Sequence, residues 1–144
     1  MGISKKELLS IPPKIEEINR RRDRIAALRQ KLYSPKGMDT NEKVQTSAGE
    51  TAMLADIVID MEAELERDAE DLNELRAEAA KIIETLPEEP RYVMRLRYLD
   101  EDHNGEPTTW SWTEIARLMY YSEATAHRRH GEALNILFPE EESE

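Results

Sequence analysis

The sequence predicts an all-α protein. A helical coiled-coil hairpin or stalk, residues 1–86, is followed by a small helix-turn-helix domain, residues 87–138, and an acidic tail, residues 139–144. Three observations lead there. Charged residues make up 35% of the 144 and aromatics only 6%, too polar for one compact core of that length and suited to long exposed helices. Apolar residues recur at heptad-like spacing along two stretches, 14–32 and 50–86. Residues 110–137 carry two successive helix-start signals with a tight break between them.

The first element is a short helix opened by Ser4 and interrupted at Pro12 and Pro13. Proline is tolerated in a first turn, so a second helix is expected to begin at Pro13 or Lys14. It runs to about Leu32, with Ile15, Ile18, Ile25, Leu28 and Leu32 as its apolar stripe. Arg20, Arg21, Arg22 and Arg24 lie among them. Two readings fit this cluster: a phosphate-contacting face, or a solvated face that pairs with the acidic helix that follows. Residues 33–49 are a linker by composition, rich in Ser, Thr, Pro, Gly and Asn.

The long helix expected over residues 50–86 sets Leu54, Ile57 and Met61, then Leu72, Leu75, Ala79, Ile82 and Leu86, at heptad spacing. Between Met61 and Leu72, bridged by Leu65 and Ala69, the spacing is a heptad plus four, a stutter that locally relaxes left-handed supercoiling. Its stripe needs a partner. The 14–32 helix can serve part of it, and the C-terminal domain or another copy the remainder, so a homo-oligomer, with a dimer favoured, is expected. Pro87 and Pro90 punctuate the boundary. A helix over 91–99 then buries Val93, Leu96 and Leu99, with Tyr92 and Tyr98 partly covered.

In residues 110–137, Ser111 is an N-cap and Glu114 completes its capping box. Ile115, Ala116 and Met119 share one face, and the pattern breaks at Tyr120 and Tyr121. Ser122 caps a second helix with Thr125 at its third position, and Ala126, Ala133, Leu134 and Leu137 are available for packing. Small Ala116 and Ala126 suit helices that cross steeply with their backbones close. That layout is a helix-turn-helix, whose second helix presents its N-terminal side chains to the DNA major groove. Glu123, Ala124, Thr125, His127 and Arg128 occupy the turn and a half that reaches base edges. Arg128 can pair bidentately with guanine, and Thr125 can touch a phosphate or a thymine methyl. The Ser122 backbone and Trp112 are candidate phosphate partners.

The runs RYVMRLRYL, SWTEIA and YYSEATAHRRHGEAL resemble the C-terminal, promoter-reading region of sigma factors, region 4. They are more similar still to small sigma-region-4-like proteins encoded by phages and prophages. That family has a coiled-coil N-terminal half, a VQSS-like motif in its middle and an Arg-His-Gly-Lys-Ala-Leu-like end. Here stand Val44, Gln45, Thr46 and Ser47, and Arg129, His130, Gly131, Glu132, Ala133 and Leu134. Matched residue by residue, the resemblance puts Glu123, Ala124, His127 and Arg128 on base-contacting positions. It also implies a contact with RNA polymerase through the helices over 91–99 and 112–119. The Val44–Ser47 segment is open to two readings, a docking motif or a loop that caps the next helix.

Two residues depart from the family pattern. Arg129 stands where an apolar core residue is usual, so it either snorkels past Ile115 or marks a rotated recognition helix. Glu123 and Ala124 replace residues that are often basic, which implies modest intrinsic DNA affinity and a need for avidity from oligomerisation or from polymerase.

Charge bears on the same point. The net charge is −11, against the habit of a simple nucleic-acid binder. Residues 1–40 are net +5, residues 41–89 net −11, residues 90–138 net −1, and the tail net −4. The acid therefore sits in the middle helix and the tail, and a reading head near neutrality binds phosphates weakly by itself.

Other chemistries find little support. The loop Asp100, Glu101, Asp102, His103, Asn104, Gly105 opens like a calcium-binding EF-hand loop, but Ser111 stands where the bidentate glutamate belongs and Glu114 comes three residues late. His127 and His130 share a helix face at a spacing that can hold zinc, but two ligands without a thiolate do not make a structural site. There are no cysteines, no phosphate-cradling glycine loop and no nucleophile elbow. The expectation is a non-enzyme without metal or cofactor. No signal peptide or membrane span is recognisable, which predicts a cytoplasmic protein.

The function expected is that of a phage or prophage transcription regulator that binds double-stranded promoter DNA, RNA polymerase, or both. The alternatives are a packaging component such as a small terminase subunit, and an interaction protein that sequesters a transcription factor or polymerase through its acidic face.

Overall fold

The computed structural model describes residues 2–32 and 48–141. The Val44–Ser47 motif, most of the linker expected over 33–49 and the last three tail residues lie outside them. The fold is all-α. Helix α1 is Lys5–Leu9, α2 Ile11–Leu32, α3 Ala48–Ile83 and α4 Glu88–Met94, which continues into a π-helical turn, Arg95–Leu99. Then come α5, Trp112–Met119, α6, Glu123–Leu137, and a 3-10 turn, Pro139–Glu141. Among the described residues the only strand-like pairing is an isolated bridge between Glu101 and Pro107. By contact the chain forms two compact units, Glu17–Glu70, and Met1–Glu16 with Asp71–Glu144. The unit that holds α5 and α6 thus also takes in α1, the start of α2 and the end of α3.

Helix α1 is fixed by a capping box: the Ser4 hydroxyl accepts the Glu7 N–H and the Glu7 carboxylate accepts the Ser4 N–H, each at 3.0 Å. The break expected at Pro12 and Pro13 falls instead at Ser10. The Ser10 N–H closes α1 on the Lys6 and Glu7 carbonyls, and its own carbonyl accepts the Lys14 N–H at 3.2 Å to open α2. Both prolines therefore sit in the first turn of α2, where an N–H has no intrahelical acceptor to lose. Leu8, Ile11 and Ile15 beside them are fully buried.

Within Glu17–Glu70, α2 and α3 run antiparallel. Arg21 meets Asp68 at 2.7 Å, and further along α2 Arg29 grips Glu62 with two bonds of 2.6 and 2.8 Å. The Arg29 hydrogen bonds hold the Glu62 carboxyl below its ordinary range. Exposed pairs of this kind set register more than they stabilise. Burial of Ile18, Ile25 and Val58 supplies the cohesion. The arginine cluster divides accordingly: Arg21 pairs with the acidic helix and Arg22 bonds Asn19, while Arg20 and Arg24 stay exposed.

The stutter expected in α3 is absent. Val58, Leu72 and Ala79 are buried, as is Leu86 just past the helix end, with half-buried Leu65 between the first two, an unbroken heptad spacing. Asp68 falls on the flanking seam three residues after Leu65, and its polarity hid the repeat from a reading by hydrophobicity alone. Its charge is met by Arg21. In consequence Val58 is 2% exposed while its expected substitute Ile57 is 45% exposed, and Ile83, not Ile82, is the fully buried residue near the C-terminus.

After α3 the chain turns through bonds from Thr85 to Ile82 and from Leu86 to Ile83. Pro87 caps α4, which begins earlier than expected and buries Pro90 in its first turn. The π-helical turn then changes the face presented. Its wider turn accommodates an extra residue, so Tyr98 at 1% exposure is core and Leu99 is half-buried, the reverse of the α-helical expectation. Tyr92 lies 47% exposed.

The register of α3 is testable. Val58→Ala should destabilise by about 2 kcal/mol through lost burial and an unfilled cavity. Ile57→Ala should cost much less. Urea denaturation followed by circular dichroism compares the two, and equal costs would contradict the observed register.

Candidate nucleic-acid interface

Helix α5 starts at a second capping box, with Ser111 Oγ accepting the Glu114 N–H at 3.1 Å and Glu114 Oε1 accepting the Ser111 N–H at 3.0 Å. It ends in a Schellman arrangement. The Tyr121 N–H reaches the Ala116 carbonyl at 2.8 Å and the Tyr120 N–H the Arg117 carbonyl at 3.3 Å. Tyr120 takes the left-handed conformation this requires, at φ 60° and ψ 40°. Ser122 then caps α6 by accepting the Thr125 N–H at 3.1 Å. Ile115, Ala116 and Ala126 form one buried cluster with Val93 and Leu96, and Trp110, Trp112, Met119 and Tyr121 pack around it.

With Ala126 and Ala133 inward, the start of α6 shows a defined set to solvent. Ser122, Glu123, Ala124, His127 and Arg128 are exposed and Thr125 is half-buried. Their availability differs. The Ser122 hydroxyl is used by the cap and also lies 3.1 Å from the Thr125 hydroxyl. The Glu123 carboxylate accepts a hydrogen bond from the Thr113 hydroxyl of α5 at 2.5 Å. Arg128 is exposed and makes no ion pair or hydrogen bond among the described residues.

Trp112 is half-buried among rings and a guanidinium. Its ring is 4.4 Å from the His127 ring and 4.9 Å from the His130 ring, centre to centre, and the Arg97 guanidinium stands 4.7 Å from its centre. A cation over an indole is favourable, more so away from water. Arg97 also donates to the Trp110 carbonyl at 2.7 Å. Trp112 thereby joins α5, α6 and the π-helical turn, and supports His127 from beneath.

His130 is the inward member of the histidine pair. Its Nε2 is 2.7 Å from the Tyr98 hydroxyl and the two rings stack at 5.8 Å. Burial pushes the imidazole down to about 4, with the positive charges of Arg97, His127 and Lys5 acting the same way. Burial raises the Tyr98 phenol well above its ordinary value, against the opposing charge of Arg97. The phenol therefore stays protonated and the imidazole neutral, and the two share one hydrogen bond between the phenol oxygen and Nε2. Among the described residues no group of three or more His, Cys, Asp or Glu is placed to hold a metal ion, and His130 Nε2 is taken by the Tyr98 hydroxyl.

Arg129 is partly buried and held by charged and aromatic neighbours. Its Nε lies 3.1 Å from a Glu89 carboxylate oxygen of α4, its Nη1 3.2 Å from Glu132, and its guanidinium 5.8 Å from the centre of the Tyr121 ring. These partners, Tyr121 foremost, raise its affinity for the proton further. The loop before α5 is held from α3, where Arg76 donates to the Leu99 and Asp100 carbonyls at 2.9 and 3.3 Å, and by bonds of its own. Asp102 Oδ1 accepts the Asn104 and Glu106 N–H groups at 2.8 and 3.0 Å, Gly105 takes φ 81°, and Asp100 accepts the Trp110 indole N–H. The Asp102 carboxylate, third in the EF-hand-like run, thus builds a turn. The Tyr98–His130 bond and the Arg97–Trp112 contact were not anticipated from the sequence. The three-residue spacing of His127 and His130 was the available signal, since it places both rings toward one side of α6.

The buried imidazole makes stability depend on pH. The unfolded ring titrates near 6.5 and the folded ring near 4, so between those values the unfolded chain holds a proton that the folded chain lacks. Stability is full above the unfolded value and falls as pH falls across that window. His130→Gln removes the titration. Between about pH 7.5 and about pH 5, urea denaturation should show the parent losing roughly 2 kcal/mol more than the variant. Parallel losses in the two proteins would refute the assignment.

No family model, curated protein or solved structure matches this chain.

Proposed function

We propose that this protein is a phage or prophage transcription regulator whose α5–α6 pair binds promoter DNA, alone or together with RNA polymerase. The observation that carries the reading is Arg128, exposed and without a partner among the described residues. It lies beside exposed Ala124 and His127 on the first turns of a capped helix packed across α5. A helix presented in that way suits the major groove, and an arginine there suits the O6 and N7 acceptors of guanine. The protein acts by binding, without catalysis or cofactor, in the cytoplasm where polymerase and promoter are found. Because residues 90–138 are near neutral, phosphate attraction contributes little. Affinity is expected to draw on a dimer or on polymerase, the latter meeting α4, its π-helical extension and α5.

A second reading has one observation in its favour. Asp56, Asp60, Glu64, Glu66, Glu70, Asp71 and Glu74 are all exposed along α3, a surface suited to a basic protein partner and unsuited to DNA. On that reading the protein sequesters a transcription factor or polymerase. A packaging role, as in a small terminase subunit, would instead require a large ring, which light scattering or analytical ultracentrifugation detects.

The deciding experiment is a fluorescence titration of host promoter DNA with and without RNA polymerase core across a salt series, comparing the parent with Arg128→Ala. The substitution should weaken specific binding by about 1–3 kcal/mol and relax base preference at one position. Unchanged affinity and preference would remove Arg128 from the reading row. Binding of polymerase without any DNA contact would favour sequestration.

A further inference from the structure

Tyr120 is the one non-glycine residue with positive φ among the described residues, and its side chain is 95% exposed. The left-handed conformation costs free energy for a residue with a Cβ and nothing for glycine, the usual occupant of this helix-ending position. The fold gains no packing in return. Its neighbour Tyr121 turns inward to the cluster around Ile115 and to Arg129, whereas Tyr120 points away from both. An aromatic held at such a position on a strained backbone invites a functional explanation.

The surroundings indicate the chemistry of a partner. Tyr120 stands two residues before the Ser122 cap of α6 and three after Arg117 of α5. Arg117 and Arg128 are both exposed, and neither has an ion pair or hydrogen bond among the described residues. The acids of the same two helix starts are engaged internally, Glu114 with the Ser111 N–H and Glu123 with the Thr113 hydroxyl. The turn therefore offers free cations and a phenol O–H, and its carboxylates are turned to the protein's own donors. That combination suits a phosphate oxygen of a nucleic-acid backbone, to which tyrosine hydroxyls commonly donate.

We propose that Tyr120 is a DNA-backbone contact that flanks the reading row of α6, fixing the helix on the duplex through a phosphate and contributing no base preference. This rests on the DNA-binding reading given above and adds to it a residue outside the recognition helix. A phosphate contact is independent of sequence, so a labelled mixed-sequence duplex at low salt serves as the probe.

The test compares the full chain with Tyr120→Gly, Tyr120→Phe and Arg128→Ala. Tyr120→Gly relieves the backbone and should raise Tm by roughly 2–5 °C while weakening binding roughly three- to tenfold. The loss should be equal on mixed-sequence and promoter duplexes. Tyr120→Phe keeps the ring and backbone and should lose most of the same affinity if the hydroxyl makes the contact. Because tyrosine carries no charge, the salt dependence of binding should stay parallel to that of the parent. Full affinity in Tyr120→Gly, with Arg128→Ala impaired, overturns this inference and leaves the DNA reading standing. A loss of affinity accompanied by a lower Tm overturns it by showing a structural role. A parent that binds neither duplex overturns both readings. Loss of polymerase binding with DNA affinity intact overturns the phosphate assignment in favour of a protein contact.

Discussion

The close packing of α5 against α6 at Ala116 and Ala126 is the constraint on which the exposed row depends. Both residues are almost wholly buried, in one cluster with Ile115, Val93 and Leu96. A larger side chain at either position would push the helices apart. Once Ala126 and Ala133 face inward, the helical repeat leaves little freedom. Ala124, His127 and Arg128 must face out, and Arg129 and His130 must lie toward the neighbouring helices. The accessibility of the exposed row and the burial of polar groups behind it are thus two results of one rotation.

That rotation places polar side chains where they need partners, since burying an unsatisfied polar group is costly. Contacts from other elements meet them in part, the Nε atoms of Arg97 and Arg129 making no hydrogen bond among the described residues. Arg129 reaches Glu89 of α4 and the Tyr121 ring, His130 meets Tyr98 of the π-helical turn, and Arg97 covers Trp112 of α5. These contacts have directions, unlike apolar packing, and so they fix how α6 is held. His130 is held there at the cost of remaining neutral, so protonation of its ring opposes this packing.

Electrostatics divide between local pairing and long-range field. The excess of acid lies along α3 and in the tail. Some of it serves structure, as when Glu62 and Asp68 meet arginines of α2 and Glu84 meets Arg95 at 2.8 Å. Arg95 holds the Glu84 carboxyl below its usual range. The acids nearest the turn between α5 and α6 accept hydrogen bonds from a backbone N–H and a hydroxyl, while Arg117 and Arg128 make no ion pair or hydrogen bond among the described residues.

Much of this was legible from local sequence, because local interactions set it. The capping boxes at Ser4 and Ser111, the Ser122 cap, the inward Ala116 and Ala126 and the exposed Glu123, Ala124, His127 and Arg128 all follow from spacing within one or two helical turns. The all-α class follows from the same periodicity. What the sequence could not determine were choices between near-equal local options, settled by neighbours distant in the chain. Ile57 and Val58 are both apolar, and the partner α2, with Arg21 beside Asp68, selected Val58. Tyr98 entered the core because a π-helical turn shifted the face, and only there could it meet His130. By itself the sequence determined which helices form and where the capped ones, α1, α5 and α6, begin, since capping and propensity act over a few residues. The tertiary structure decided which face of each helix is buried and which polar groups are paired, because burial and pairing depend on side chains brought together from distant parts of the chain.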